Sequence, residues 1–249
     1  MSREASERLL KRLGLYGAAR RIVRTWRHVR SLLTRGRRIR NYFASHPVRK
    51  LQIGCGLNAL EGWLNTDFNP RVKGAIFLDV RKRFPLADAQ WDYVFSEHLI
   101  EHLEYRQGAA MLRECFRVLR PGGRICIATP DLRFLIDLGG GEKTSLQERY
   151  ISWQADQWWP DIGIHRDVFA INAFFRKCEH EFIYDFAELR DTMARVGFTE
   201  ILRVDIGQSG EANLQGVISH GRQIPEEFNR LETFVVEAVK PADGSNETP

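Results

Sequence analysis

Hydrophobic positions change their period along the chain, and each change predicts an element. Ile22, Trp26, Val29 and Leu33 recur at spacings of four, three and four, the period of one helical face, with Arg20, Arg21, Arg24, Arg27 and Arg30 on the others. From His46-Pro47 onward the pattern becomes short apolar runs ended by turn or acidic residues, and segments 48–53, 63–67, 75–79 and 91–96 read as strands. Segment 108–119 places Met111, Cys115, Val118 and Leu119 on one helical face; Pro121-Gly122-Gly123 stops it before a fifth strand at 124–129. A helix over 185–196 ended by Gly197, a strand at 200–205, a Gly-rich connection and a strand at 233–239 complete the pattern. Alternating strands and helices predict an α/β fold with a mostly parallel sheet flanked by helices.

Segment 131–184 breaks the alternation. It carries Tyr150, Trp153, Trp158, Trp159, Phe169, Phe174 and Phe175, and is too long and too apolar for a plain connection. It reads as a lid inserted between strands five and six. Its rings serve either as core of that lid or as a wall against an acceptor; Trp158, Trp159 and His165 are the candidates for the wall. Sugar, lipid and aromatic acceptors suit such a wall equally.

Composition adds bounds. A chain of 249 residues, 43% of them hydrophobic, suits one α/β domain with an appendage: a basic arm at 1–46, a domain at 47–240 and a disordered tail at 241–249. No apolar run reaches the roughly 18 residues of a membrane span and no secretory core opens the chain, so a cytoplasmic protein is expected. Four cysteines without a Cys-x-x-Cys pair predict free thiols. The net charge of +5 conceals a division, because 13 of the 37 basic residues and only Glu4 and Glu7 fall within 1–46. That arm is either a solvated face packed on the domain or a contact for an anionic membrane at its inner face; nucleic acid is disfavoured for want of a recognisable binding module.

The candidate chemistry sits at strand ends. Gly54-Cys55-Gly56 closes the first strand where glycine allows backbone to approach a ligand. A nicotinamide fingerprint is not met, since Ala59 takes the third glycine's place and Asp67 follows too soon. Asp67, Asp79 and the pair Ser96-Glu97 close later strands, where ligands of open parallel sheets lie. His98-Leu99-Ile100-Glu101-His102 also fits a zinc-peptidase pattern, but without a third ligand or peptidase scaffold no metal is expected.

Residues 51–56, 62–67, 91–103, 117–123 and 129–132 together resemble class I S-adenosylmethionine-dependent methyltransferases. The spacing from Gly-Cys-Gly to Asn65-Thr66-Asp67 is similar to bacterial predicted methyltransferases often associated with surface polysaccharide synthesis. The resemblance implies a Rossmann-like seven-stranded sheet whose last strand is antiparallel. It implies that Ile53, Gly54, Cys55 and Gly56 pack on the methionine part of S-adenosylmethionine, Asp67 on its ribose, Asp79 and Val80 on its adenine, and Ser96 and Glu97 at its sulfonium end. Two positions depart from the pattern: Gln52 replaces an acidic residue, and Leu57-Asn58 replaces the loop's last glycine. His98, or His102, is the candidate base for O-methylation of a small molecule or glycan, with His165 and His180 in reserve and Asp131 orienting the acceptor. Those departures keep a second function open, a non-catalytic platform of methyltransferase fold in glycan assembly.

Overall fold

The computed structural model of the chain describes residues 16–218, 220 and 223–242. The start of the basic arm and most of the expected tail lie outside the described residues. One sheet of seven strands runs in the order β3-β2-β1-β4-β5-β7-β6. Its strands are β1 Lys50–Ile53, β2 Leu64–Asp67, β3 Ile76–Phe77, β4 Trp91–Glu97, β5 Leu119–Pro130, β6 Thr199–Val204 and β7 Thr233–Val239. The first five are parallel, and β7 runs antiparallel between β5 and β6. This is the Rossmann-like methyltransferase sheet expected, reversed last strand included.

Two details differ from the sequence pattern. Pro121-Gly122-Gly123 is a bulge within β5 rather than a turn before it: Trp91 pairs with Leu119 and Tyr93 with Arg124, so 120–123 loop out. The bulge is pinned by Gly122 N–H to the Lys240 carbonyl and Lys240 N–H to the Gly123 carbonyl, both 2.8 Å. Second, no helix separates β1, β2, β3 and β4. Parallel neighbours usually need a crossover helix to cover their face.

The cover comes from the chain's own arm. Helix α1, Tyr16–Ser45, packs its later turns on β3 and the core: Ser31 Oγ accepts from Phe77 N–H (2.6 Å), Arg38 donates to the Ala75 carbonyl (2.9 Å), and Phe43 meets Trp91 edge-on at 5.1 Å. Tyr42 is buried and bonds both backbone groups of Lys50. The arm and the domain are therefore one packed body from about His28 onward, although the helix ends at the boundary the sequence suggested.

Helices α2 (Tyr105–Val118) and α6 (Phe186–Val196) share that face of the sheet, burying Met111, Leu112, Cys115 and Val118 with Leu189 and Met193. Asp185 caps α6 and Gly197, at φ 113°, ends it in the left-handed conformation. The opposite face is covered by Trp63, Leu214 and Val217 over Phe95, Cys126 and Val235. The lid is helical: α3 (Leu132–Gly139), α4 (Ser145–Trp158) and α5 (Asp167–Arg176) enclose Phe134, Leu138, Tyr150, Ile151 and Phe174 with Phe228 of α7 (Glu226–Glu232). The helix α7 occupies part of what the sequence suggested was a Gly-rich connection.

Candidate active site

Strand order reverses between β1 and β4, and at such a switch point the carboxyl ends of strands leave a crevice. Two cavities open there. An inner one of about 470 Å³ is lined by Gly54, Gly56, Glu97, His98 and the lid residues Trp153 and Trp158, among others. An outer one of about 1100 Å³ is lined by Leu57, Asp67, Phe68 and Arg71. Gly56, His102 and His180 line both, so the two form one cleft with two lobes.

The glycine loop is shaped from within. Gly54 has φ 73°, and a Cβ there would stand 2.9 Å from the Leu99 side chain, so packing as well as backbone conformation demands glycine. Gly56 has φ 51° and nothing within 4 Å of its missing Cβ, so it faces the open cleft. Its N–H donates to Asp67 Oδ2 (2.9 Å), while Asn69 N–H donates to Oδ1 (2.6 Å). Buried Gln52 ties the loop together, donating to the Asn58 carbonyl (3.0 Å) and accepting from Leu60 N–H (3.1 Å). A carboxylate could only accept here, so the amide suits a loop that offers both a carbonyl and an N–H.

The inner lobe carries a cluster of histidines and carboxylates. His98, at φ 47°, places Nε2 3.1 Å from Thr233 Oγ1 and Nδ1 3.3 Å from Glu101 Oε1. Its ring stacks on His220 with centroids 3.8 Å apart. Burial works against the imidazolium of His98, but the Glu101 carboxylate more than offsets it, so its pKa is raised. Glu101 is fully buried, which disfavours its charge, yet contact with His98 and the nearby histidines hold it well below the usual carboxylate range. Burial lowers His180 to about 4 and His220 to about 3, and raises Glu232 to about 7 despite the His98 charge and the Tyr150 hydroxyl donated to it (2.5 Å). Burial also lifts the thiols of Cys55 and Cys178 to about 12 and about 11, which leaves neither as a thiolate nucleophile at neutral pH.

The structure gathers some of the residues singled out in sequence and disperses others. Gly54, Cys55, Gly56, Glu97, His98, His102 and Trp158 line the inner lobe, and Asp67 the outer. Ile53 and Val80 are buried in the core, and Ser96 is buried with its hydroxyl unpaired. Asp79 lines neither lobe; Arg81 holds its carboxylate at 2.8 and 3.2 Å and, against the cost of burial, lowers its pKa. Asp131 does not reach the acceptor space: it caps α3 through Arg133 N–H (2.9 Å) and accepts from Arg203 (3.0 Å). Trp159 turns to Phe169 and Lys177, and His165 bonds Asp156 (2.7 Å) outside the cleft. His220, Gln223 and Glu232, which no sequence motif marked, line the inner lobe from the segment before β7.

Residues 68–127 match the family model for a methyltransferase domain, a span that holds Asp79, Glu97 and the run from His98 to His102. A protein of Mycolicibacterium smegmatis that bears the name Probable S-adenosylmethionine-dependent methyltransferase is 37% identical over 102 residues, 32% of this chain and 37% of that protein. Methyltransferase GfsG of Streptomyces halstedii is 31% identical over 118 residues, 38% of this chain and 41% of its own length. The chain thus spans about two fifths of the length of the curated relatives it matches. Among solved structures, an S-adenosylmethionine-dependent methyltransferase of Archaeoglobus fulgidus superposes with a TM-score of 0.48 at 19% identity, over 86% of this chain and 94% of that one. The sequence comparisons and the sheet order agree with a methyltransferase domain.

Proposed function

We propose that the chain is an S-adenosylmethionine-dependent methyltransferase that methylates a hydroxyl group of a small molecule or glycan. The observation that carries this reading is the two-lobed cleft at the sheet's switch point, with Gly54, Gly56, Glu97 and His98 in one lobe and Asp67 in the other. S-adenosylmethionine supplies a methyl group already attached to a good leaving group. The residues present fit it. Each Asp67 oxygen accepts one N–H and keeps lone pairs for ribose hydroxyls. Gly56 offers backbone that a ligand can approach closely, and Glu97 places a carboxylate where a doubly cationic ligand end would lie. Leu57 and Phe68, apolar yet exposed in the outer lobe, would flank the adenine in place of Asp79.

Methyl transfer asks the protein chiefly to align an oxygen with the methyl carbon and to keep water out. Trp153 and Trp158 form an aromatic wall for the acceptor. The acceptor's hydroxyl proton passes to Nε2 of neutral His98, the acceptor taking the place of Thr233 Oγ1 at that atom while Glu101 holds the ring at Nδ1. The likeness of the motifs to polysaccharide-associated methyltransferases ranks sugars first among acceptors to screen. Incubation with S-adenosylmethionine and a panel of hydroxylated glycans should give a methylated product detectable by mass. His98→Ala should abolish that product while still binding the cofactor. Full turnover by His98→Ala would exclude it as the base, and binding without transfer to any acceptor would favour the non-catalytic platform.

The reading extends to an anionic membrane surface as the place of action. No described helix is long and apolar enough to cross a membrane. Yet Ile22, Trp26, Val29 and Leu33 are 68%, 59%, 46% and 80% exposed, because α1 packs on the domain through His28, Ser31, Arg38 and Tyr42, on its roughly opposite face. An apolar stripe among arginines matches a bilayer carrying negative charge. Co-sedimentation with phosphatidylserine vesicles should be strong for the wild type and weak for Trp26→Ser/Leu33→Ser. Equal sedimentation of the two proteins would remove the membrane contact.

A further inference from the structure

Four of the seven histidines converge on the inner lobe. We propose that His102 and His180, which line both lobes, and Glu101, buried behind them, bind a divalent metal ion of the zinc class. Their donor atoms lie within 4.8 Å of one another. A tetrahedral zinc ion bound at about 2.0–2.2 Å would bring its donors to about 3.4 Å, a closure within reach of small side-chain rotations.

Each donor is left available by its neighbours. Glu101 is fully buried; Oε2 accepts from Thr129 Oγ1 (3.0 Å), while Oε1 has no hydrogen-bond partner, its 3.3 Å contact with His98 lying outside hydrogen-bond geometry. His98 compensates that buried oxygen only through a 3.3 Å charge contact, and a metal ion there would complete its coordination. His102 places Nδ1 3.1 Å from the Glu179 carbonyl, which assigns the proton to Nδ1 and leaves the Nε2 lone pair for the ion. A histidine oriented by a backbone carbonyl through its other nitrogen is the usual support for a metal-bound imidazole. His180 Nδ1 is buried and lacks a hydrogen-bond partner.

The backbone fixes these groups against each other. The Glu101 carbonyl accepts from Glu181 N–H (2.8 Å) and Phe182 N–H (3.1 Å), so the turn bearing Glu101-His102 is stitched to the segment bearing His180. Glu179 adopts φ 57°, a strained choice for a residue with a side chain, and it both orients His102 and precedes His180. The sequence offered His98-x-x-Glu101-His102 as a metal pattern lacking a third ligand. In the structure the pattern divides: His98 turns toward Thr233, and His180 arrives from beyond the lid's last helix.

A second triad, His98, His220 and Glu232, is less suited. The Nε2 of His98 and one oxygen of Glu232 are engaged by Thr233 and Tyr150. The two imidazoles stack with planes 19° apart, so their in-plane lone pairs run side by side rather than converging. Two imidazoles and one carboxylate are a zinc-type ligand set that leaves a position open. That position would take an acceptor oxygen, a role that rests on the proposed methyl transfer, whereas metal binding itself does not.

The test is titration of metal-free protein with Co²⁺, followed by visible absorption, with S-adenosylmethionine calorimetry on the same protein run separately. Wild type should take up one equivalent and develop the intense bands of four- or five-coordinate cobalt. His102→Ala and His180→Ala should each weaken uptake about tenfold or more. His165→Ala, whose ring lies outside the cleft, should bind as wild type does. His102 is exposed, so its substitution spares the fold. Only the weak spectrum of hydrated cobalt in wild type, or unchanged affinity in His102→Ala, would overturn the proposal. Cofactor binding without cobalt uptake would sink the metal site alone, and cobalt uptake without cofactor binding would sink the methyl-transfer reading alone.

Discussion

Gly54 and Gly56 look alike in the sequence and do different work in the molecule. At Gly54 an added methyl meets Leu99 at 2.9 Å with φ at 73°, so Gly54→Ala should cost about 1–3 kcal/mol and lower the melting temperature. At Gly56 an added methyl meets nothing, so Gly56→Ala should cost only the left-handed strain, about 1 kcal/mol, while intruding on the cleft and weakening S-adenosylmethionine binding. Thermal unfolding and calorimetry of the two variants check this division; equal loss of stability in both would contradict it. The placement of the glycine pair, Asp67, Glu97 and His98 at strand ends was legible because each closes or follows a strand whose pattern was clear. Asp131 was misjudged because an aspartate before a helix has a competing use as a cap, and here the cap prevails. His220 and Glu232 were illegible because they reach His98 from more than a hundred residues away, through the packing of β7 beside β5.

Helices and strands that fold by local rules were the readable elements: α2, α6 and β7 lie close to where periodicity put them. What the period could not say was which face of α1 packs. The stripe Ile22, Trp26, Val29 and Leu33 looks like the buried face, but β3 and Trp91 take the other side, where Ser31, Arg38 and Tyr42 offer hydrogen bonds to exposed strand-edge backbone. The long connection from β3 to β4 depends on a different device. Arg117 of α2 donates to the carbonyls of Phe84 (3.0 Å) and Leu86 (2.9 Å) and pairs with Glu114 and Asp88, and Glu114 in turn accepts from Phe84 N–H (2.6 Å). Arg117→Ala should therefore cost about 2–4 kcal/mol, since it leaves several partners unmatched together. Arg117 also lowers the pKa of Glu114. A depressed carboxylate stabilises above its unfolded pKa and loses that contribution as pH falls through the folded one. Denaturant melts should thus show the wild-type advantage over Arg117→Ala at neutral pH and its shrinkage below about pH 4. An advantage independent of pH would show that the Glu114 charge is not involved.

At the scale of the whole molecule, the arm packs on β3 and the strand starts, while one sheet and one helical lid converge on the same edge. Strands β1, β2, β4 and β5 point their carboxyl ends at it, β7 starts there, and the lid closes over it with Trp153 and Trp158. The reversed final strand was implied by the family resemblance alone, whereas the fold class could be read from alternating apolar runs. The division of the crevice into two lobes could not, because it depends on where His102 and His180 meet in space. Calorimetric titration of the wild type and Asp67→Ala with S-adenosylmethionine tests the central claim most directly. The account predicts one site per chain in the wild type and an affinity lower by about 1–3 kcal/mol in Asp67→Ala, the loss expected for charged hydrogen bonds to the ribose. No heat in the wild type, or identical affinity in the two proteins, would contradict it.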